Sequence, residues 1–149
     1  MVADILKQRR AELRGVILSD TDASLLDGVC PAWLLDAWRS APLTGARMYV
    51  DDRDDPTGIG VSMQWMNATE LLSELNEASP GREAKREGFL PVGKCLEGSG
   101  DPYFLSGTGE DPPLVRIPHT AARGGALNRT AVETVAPSLS QFLRMAKFR

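Results

Sequence analysis

Three short apolar segments, separated by turns rich in glycine and proline, constrain the fold of this chain more than any other feature. They cover residues 89–96, 101–106 and 114–117, and their starts lie about 12 residues apart. This spacing, with glycine-rich turns between the segments, predicts an antiparallel meander of three strands. Prolines at the strand entrances agree with it, because proline is tolerated at an edge or at the first position of a strand.

Before these segments the chain alternates between helical and strand periodicity. Apolar and polar residues alternate over 61–66, which indicates a half-buried strand. Pro31 stands at the first position of a predicted helix, where its missing N–H would have no partner in any case. Helices are predicted over residues 2–14 and 31–39, and a further strand over 46–50. Residues 19–23 indicate either a turn or the start of a helix.

Two capping boxes mark the starts of later helices. Residues 67–70 and 138–141 each place an Asn or Ser acceptor three residues before a Glu or Gln. The first of these helices is predicted to end near residue 78, and the second closes the chain. We interpret the intervening residues 82–87 as a solvated charged link.

The order of elements predicts an α+β fold, with helices clustered around an antiparallel meander rather than alternating with parallel strands. A length of 149 residues fits one domain, 1–149, and 42% hydrophobic with 25% charged residues is typical of a globular chain. The net charge of −3 argues against nucleic acid as the main ligand, because phosphate contacts need clustered Lys and Arg.

The sequence shows neither a signal peptide nor a membrane span, so we expect no membrane association and a cytoplasmic location. Cys30 and Cys95 are far apart and have apolar neighbours. We interpret both as reduced core thiols, and a single buried disulfide is the alternative.

No familiar catalytic or metal-binding spacing occurs. His119 is the only histidine, and the sequence has no nucleophile-elbow motif for which it would act as the base. We therefore favour a hydrogen-bonding role at a loop or sheet edge over a catalytic one. One His and two distant Cys do not form a zinc site. The glycine-rich sequences at 98–101 and 107–110 lack the continuation of a phosphate loop. We therefore predict no enzyme activity, no cofactor and no metal.

Clustered aspartates and three tryptophans remain as candidates for binding. Asp51, Asp52, Asp54 and Asp55 crowd one loop, and with Asp20, Asp22 and Asp27 they could form an acidic surface. The loop is either simply solvated, a chance cation site, or a docking surface for a basic protein. Core packing is the default for Trp33, Trp38 and Trp65, and a partly exposed Trp at a binding hot spot is the alternative.

Four sequence segments resemble the SUKH superfamily by their order and spacing. They are GFLPVG (88–93), GSGDPYFL (98–105), PLVRIPH (113–119) and VAPSLSQFL (135–143). The first half agrees more loosely, through PAWLL (31–35), the Trp65 strand and the helix capped by Asn67.

The resemblance implies a curved, mainly antiparallel sheet packed by helices. Its bacterial members are immunity proteins that bind and block a cognate toxin, often a nuclease, and its fungal members are scaffolds related to cell-wall-assembly regulators. The superfamily has no shared catalytic residues to transfer, and Asp101 and Tyr103 fall in its best-matching segment. We therefore expect a toxin-binding immunity protein, with a regulatory scaffold and then a small metal-dependent enzyme as alternatives. The predicted partner-binding residues are Asp51, Asp52, Asp54, Asp55, Asp101 and Tyr103.

Overall fold

The computed structural model describes residues 1–97 and 100–149, which form six α-helices and nine β-strands. The helices are α1 (Val2–Gln8), α2 (Asp20–Leu26), α3 (Ala32–Ser40), α4 (Ala68–Asn76), α5 (Gly81–Arg86) and α6 (Leu139–Met145). The strands are β1 (Arg47–Val50), β2 (Val61–Trp65), β3 (Phe89–Cys95), β4 (Tyr103–Ser106), β5 (Leu114–Arg116), β6 (Ala122–Arg123), β7 (Ala126–Leu127), β8 (Glu133–Ala136) and β9 (Lys147–Phe148).

Seven of these strands form one antiparallel sheet in the order β8-β5-β4-β3-β2-β1-β9. The sheet curls into a half-barrel and the helices pack on it, so the predicted α+β class is confirmed. The predicted meander is also present, because β3, β4 and β5 are neighbours both in sequence and in the sheet. The strands β6 and β7 form a separate small hairpin.

The main core lies where the apolar stripes of the helices meet one face of the sheet. Val61, Met63 and Trp65 are buried on that face, as the alternation of β2 predicted. Trp65 packs edge-to-face on Trp38 of α3, with ring centroids 6.3 Å apart, and its indole N–H donates to the sulfur of Met48. These contacts tie α3 to the centre of the sheet.

Both predicted N-caps are present, but only the first is a complete capping box. Glu70 N donates to Asn67 Oδ1 at 2.8 Å and Asn67 N donates to Glu70 Oε1 at 3.1 Å, which completes the first capping box. Ser138 Oγ accepts from Gln141 N at 3.3 Å at the start of α6. These local signals depend on neighbouring residues alone, which is why the sequence shows them clearly.

Two predictions about local structure need correction. The first helix ends at Gln8 rather than at residue 14, and a 3₁₀ turn, Arg10–Glu12, follows it. Residues 82–87 are not a solvated link but lie mostly in α5, with Glu83 and Ala84 buried. The strands β6, β7, β8 and β9 were not anticipated.

A second, smaller core explains why α5 forms despite its charged sequence. Ala84 packs against the face of β3, β4 and β5 that the main core leaves uncovered. This cluster comprises Ala84, Phe89, Phe104, Val115, Ile117 and Ala121.

Both cysteines are free thiols, in agreement with the sequence interpretation. Burial raises the pKa of Cys30 to about 12, so this thiol stays protonated at neutral pH. Cys95 is only partly buried, which differs from its expected place in the core. None of the helices described is long and apolar enough to span a bilayer.

Candidate functional site

A cleft of about 660 Å³ opens at one end of the half-barrel. The connections from β1 to β2, from β3 to β4 and from β5 to the segment before β8 all lie at this end, because successive strands run in opposite directions. The cleft is thus built from connections between strands, on a rigid sheet, which is where binding residues are commonly placed.

Acidic side chains outnumber basic ones in the lining of the cleft. Five carboxylates and two guanidinium groups are among the lining residues, so the cleft is acidic as a whole. The acids are Asp51, Asp52, Glu97, Asp101 and Glu133, and the bases are Arg116 and Arg149.

Arg116 forms the floor of the cleft. Its side chain is only 3% exposed, and its guanidinium donates to Gly60 O at 3.1 Å, to Thr57 Oγ1 and to Glu133 Oε2 at 3.4 Å. Asp55 Oδ2 lies 3.6 Å away. Burial by itself would lower the pKa of Arg116, but hydrogen bonds to Tyr103 and Glu133 outweigh it and raise that pKa. The floor is therefore a buried cluster in which Asp55 and Glu133 neutralise the positive charge of Arg116.

Asp55 belongs to this floor and not to the surface where the sequence placed it. Its side chain is completely buried and accepts from Thr57 N at 3.0 Å, Thr57 Oγ1 at 2.6 Å and Gly60 N at 2.9 Å. Three donors and the nearby Arg116 thus hold this carboxylate inside the β1–β2 connection. A partner could not reach Asp55 without disrupting the connection, so we assign it a structural role.

The other acids of the loop face outward. Asp52 and Asp54 are exposed on a 3₁₀ turn, Asp52–Asp54. Asp51 is half-exposed and accepts from Lys147 Nζ at 2.9 Å. This hydrogen bond, reinforced by the charge of Lys147, lowers the pKa of Asp51. Asp52 and Asp54 are therefore the loop carboxylates best placed to meet a partner.

The two residues taken from the resemblance lie at the same end of the sheet. Asp101 Oδ1 accepts from the backbone N–H of His119 at 3.0 Å and lies 2.6 Å from its Nδ1, which agrees with a hydrogen-bonding role for His119. Tyr103 is buried beneath the cleft, with its ring centroid 5.8 Å from the Arg116 guanidinium, and burial raises its pKa. Gly98 and Ser99 of the same segment lie outside the described residues.

The aspartates of α2 do not join this surface. Asp20, Asp22 and Asp27 are not in the lining of the cleft, and Asp20 accepts instead from Arg39 Nη2 at 2.8 Å. Within the part of the chain that the structure describes, no three His, Cys, Asp or Glu side chains are grouped so that they could hold a metal ion. In the 51–55 loop Asp55 turns inward and Asp51 turns to Lys147, so these carboxylates do not converge.

A second concavity lies between α1 and α3, away from the acidic loop. It has a volume of about 470 Å³ and is lined mainly by aliphatic atoms and by Trp33. Trp38 and Trp65 are buried, as core packing predicts, whereas Trp33 is only half-buried and donates through Nε1 to Thr108 O at 3.3 Å. Trp33 is thus the tryptophan that fits the alternative of a partly exposed binding residue.

Sequence reasoning missed Arg116, Glu133, Arg149 and the neighbouring Ser62 as cleft residues. One signal was available, because Arg116 interrupts the apolar segment 114–117 and a charged residue in a buried strand needs a partner. The identity of that partner depends on the fold. No family model, curated protein or solved structure matches this chain, and the likeness to the SUKH superfamily stays a prediction.

Proposed function

We propose that the protein is a non-catalytic binding domain that uses the acidic cleft to bind a basic surface of another protein. The observation that supports it is the lining of the cleft, where five acids meet two bases. Complementary charge speeds encounter between proteins and selects among partners.

The construction of the cleft favours a preformed surface. Arg116 and Asp55 fix the base of the β1–β2 connection, so Asp52 and Asp54 are held at its tip by a loop with a buried anchor. A rigid surface loses little conformational entropy when it binds. These features suit recognition of a folded partner.

The resemblance to the SUKH superfamily suggests which partner this is. Our proposal is an immunity protein that binds and neutralises a toxin domain encoded nearby. A nuclease toxin is a suitable class, because a groove that holds phosphates is basic and carboxylates can occupy it. The proposed complex would block the toxin by covering that groove.

Co-expression with the polypeptide encoded beside this gene tests the proposal. We expect the two proteins to co-purify, and we expect this chain to restore growth when the neighbour alone stops it. If the neighbour is toxic but the pair neither co-purifies nor rescues growth, the proposal is wrong.

Charge reversal at the tip of the β1–β2 connection, where Asp52 lines the cleft and Asp54 lies beside it, identifies the surface. The double variant Asp52→Lys, Asp54→Lys should weaken the complex and reduce rescue, because two exposed carboxylates would become repulsive. The matched control is Asp27→Lys, Glu110→Lys, which makes the same change in net charge at exposed positions outside the cleft. Equal loss in both double variants would show a net-charge effect and would contradict a local surface.

A regulatory scaffold is the second candidate, and the groove between α1 and α3 favours it. A scaffold needs more than one contact surface, and this groove with the half-buried Trp33 lies apart from the acidic cleft. In this case, Trp33→Ala should remove some captured proteins while the Asp52→Lys, Asp54→Lys variant removes others. Loss of the same single protein from both variants would contradict the scaffold.

A further inference from the structure

We infer that the cleft receives an arginine side chain of the protein partner, held by Asp52 and Glu97 beside the ring of Tyr49. The inference rests on the proposed function, since it specifies the chemical group that the same surface would recognise. Three observations support it: the pairing of the acids, the position of the protein's own Arg149, and an unpartnered hydroxyl in the wall of the cleft.

The carboxylates of the cleft differ in whether the protein already neutralises them. Asp51 accepts from Lys147, and Glu133 accepts from Arg116. Asp52 and Glu97 are exposed and form no ion pair with any residue in 1–97 or 100–149. Two carboxylates on opposite connections are thus open to a cation from outside.

The protein places one of its own guanidinium groups against the same wall. Arg149 lines the cleft, and its Cζ lies 4.8 Å from the centroid of the Tyr49 ring. Its charge also contributes to the lowered pKa of Asp51, after the larger effects of Lys147 and Arg53. The wall therefore already accommodates an arginine, through the attraction between a cation and the face of an aromatic ring.

A buried hydroxyl beside Tyr49 has no partner among the described residues. Ser62 lies opposite Tyr49 in the β1–β2 register and lines the cleft, and its Oγ is buried without a hydrogen bond to any residue in 1–97 or 100–149. Leaving such a group unpaired is unfavourable, so a donor that enters the cleft would gain from bonding it. In the proposed complex the Ser62 side chain turns to another staggered rotamer, so that this oxygen faces the cleft.

Arginine meets these requirements better than lysine. A guanidinium group carries five N–H donors in a planar fork and stacks on aromatic rings, so it offers more donors to acceptors such as Asp52, Glu97 and Ser62 than an ammonium group does and also packs well beside a ring such as that of Tyr49. The cleft, at about 660 Å³, has room for one such side chain next to Arg149.

The inference is tested on the full chain by an NMR titration that follows the backbone amide resonances. The probe is N-acetyl-arginine N-methylamide, and the control probe is the citrulline analogue, which has nearly the same shape without the charge. We expect saturable shifts in the millimolar range at the amides of Tyr49, Asp52 and Ser62 with the arginine probe alone. Equal shifts with both probes, or no saturable shift at these amides, would overturn the inference.

Three variants sharpen the result. Asp52→Asn with Glu97→Gln should weaken binding of the arginine probe by about fivefold, whereas the control Glu110→Gln should leave it unchanged. Arg149→Gln should strengthen it by about twofold, because a competing and repelling cation is removed. Failure of the acid variant to weaken binding contradicts the assignment.

The outcome is separable from that of the proposed function. Specific binding of the arginine probe without capture of the neighbouring gene product would support the cleft and reject the toxin proposal. Capture of that protein at full strength by the Asp52→Asn, Glu97→Gln variant would support the proposed function and reject the arginine site.

Discussion

Two arginines, Arg116 and Arg9, hold distant parts of this chain together, but they differ in how far they are buried. Arg116 is almost fully buried at the cleft, where Asp55 and Glu133 neutralise it. Arg9 is 21% exposed and joins the two ends of the chain: it donates to Leu143 O at 2.6 Å and to Ala146 O at 2.8 Å at the end of α6.

The partners of the two arginines differ in what happens to them when the arginine is removed. Without Arg116, the carboxylate of Asp55 would stay buried with an uncompensated charge, which is strongly unfavourable. Without Arg9, the carbonyls at the end of α6 could turn to water, and Glu12 is already exposed. Truncation of the buried arginine is therefore expected to cost far more stability than truncation of the partly exposed one.

The largest expected effect on stability comes from replacing the buried arginine, Arg116. Arg116→Met keeps most of the aliphatic volume but removes the charge, and it should lower the free energy of unfolding by about 3–5 kcal/mol. The reason is the unpaired Asp55, together with the acceptors Thr57 and Gly60 that lose their donor. Urea denaturation followed by circular dichroism measures the change.

A double variant separates the charge from the packing. Asp55→Asn combined with Arg116→Met removes both charges, so it should be less destabilised than the sum of the two single variants. Strict additivity would mean that Asp55 and Arg116 do not act as a pair, and would break the comparison.

The next largest effect on stability compares two consecutive aspartates, Asp54 and Asp55. Asp55→Asn should cost about 1–3 kcal/mol, because one oxygen of an amide cannot replace a carboxylate that accepts from Thr57 and Gly60. Asp54→Asn is the matched control and should stay within about 0.5 kcal/mol, since Asp54 is exposed. Equal losses in the two variants would show that the whole loop, and not its buried anchor, sets the stability.

These aspartates also show the limit of sequence reasoning for the site. The cluster at 51–55 predicts an acidic loop, but nothing local shows that Asp55 turns inward. Its orientation depends on Arg116, which follows 61 residues later in strand β5. Short-range patterns therefore located the loop and missed the division of its acids into structural and exposed ones.

Prediction of the fold likewise succeeded where the signal came from neighbouring residues and failed where it came from contacts between distant ones. The capping box at Asn67 and the alternation of β2 are local, and both were predicted correctly. β9 has two residues and exists because Lys147 and Phe148 pair with β1, so no periodicity could reveal it. Helix α5 was missed for a related reason, since its burial comes from the second core and not from an apolar stripe of its own.

A smaller loss is expected from the partly exposed arginine, Arg9. Arg9→Met should lower the free energy of unfolding by about 1–2 kcal/mol, through the hydrogen bonds to Leu143 O and Ala146 O and the stacking of its guanidinium 3.6 Å from the centroid of Phe148. The control Arg144→Met alters an exposed residue of α6 and should stay within about 0.5 kcal/mol. A loss as large as that of Arg116→Met would remove the distinction between the two environments.

The smallest effect concerns the pH dependence of the exposed cluster. The hydrogen bond from Arg9 lowers the pKa of Glu12 below its ordinary value of 4.5. A carboxylate with a lowered pKa in the folded state stabilises that state above pH 4.5, and the contribution disappears as the pH falls through the lowered pKa. Glu12→Gln should therefore be slightly less stable than the parent chain at pH 7 and equal to it in strong acid.

Denaturant unfolding at steps of pH, at low and at high salt, measures this difference. Salt should diminish it, because Glu12 is solvent-exposed and its attraction to Arg9 is screened. A difference that grows on acidification would mean that Glu12 is held in its protonated form. Insensitivity to salt would mean that the Arg9 cluster is shielded from water in the way that the Arg116 cluster is, and the contrast between the two arginines would then be one of degree.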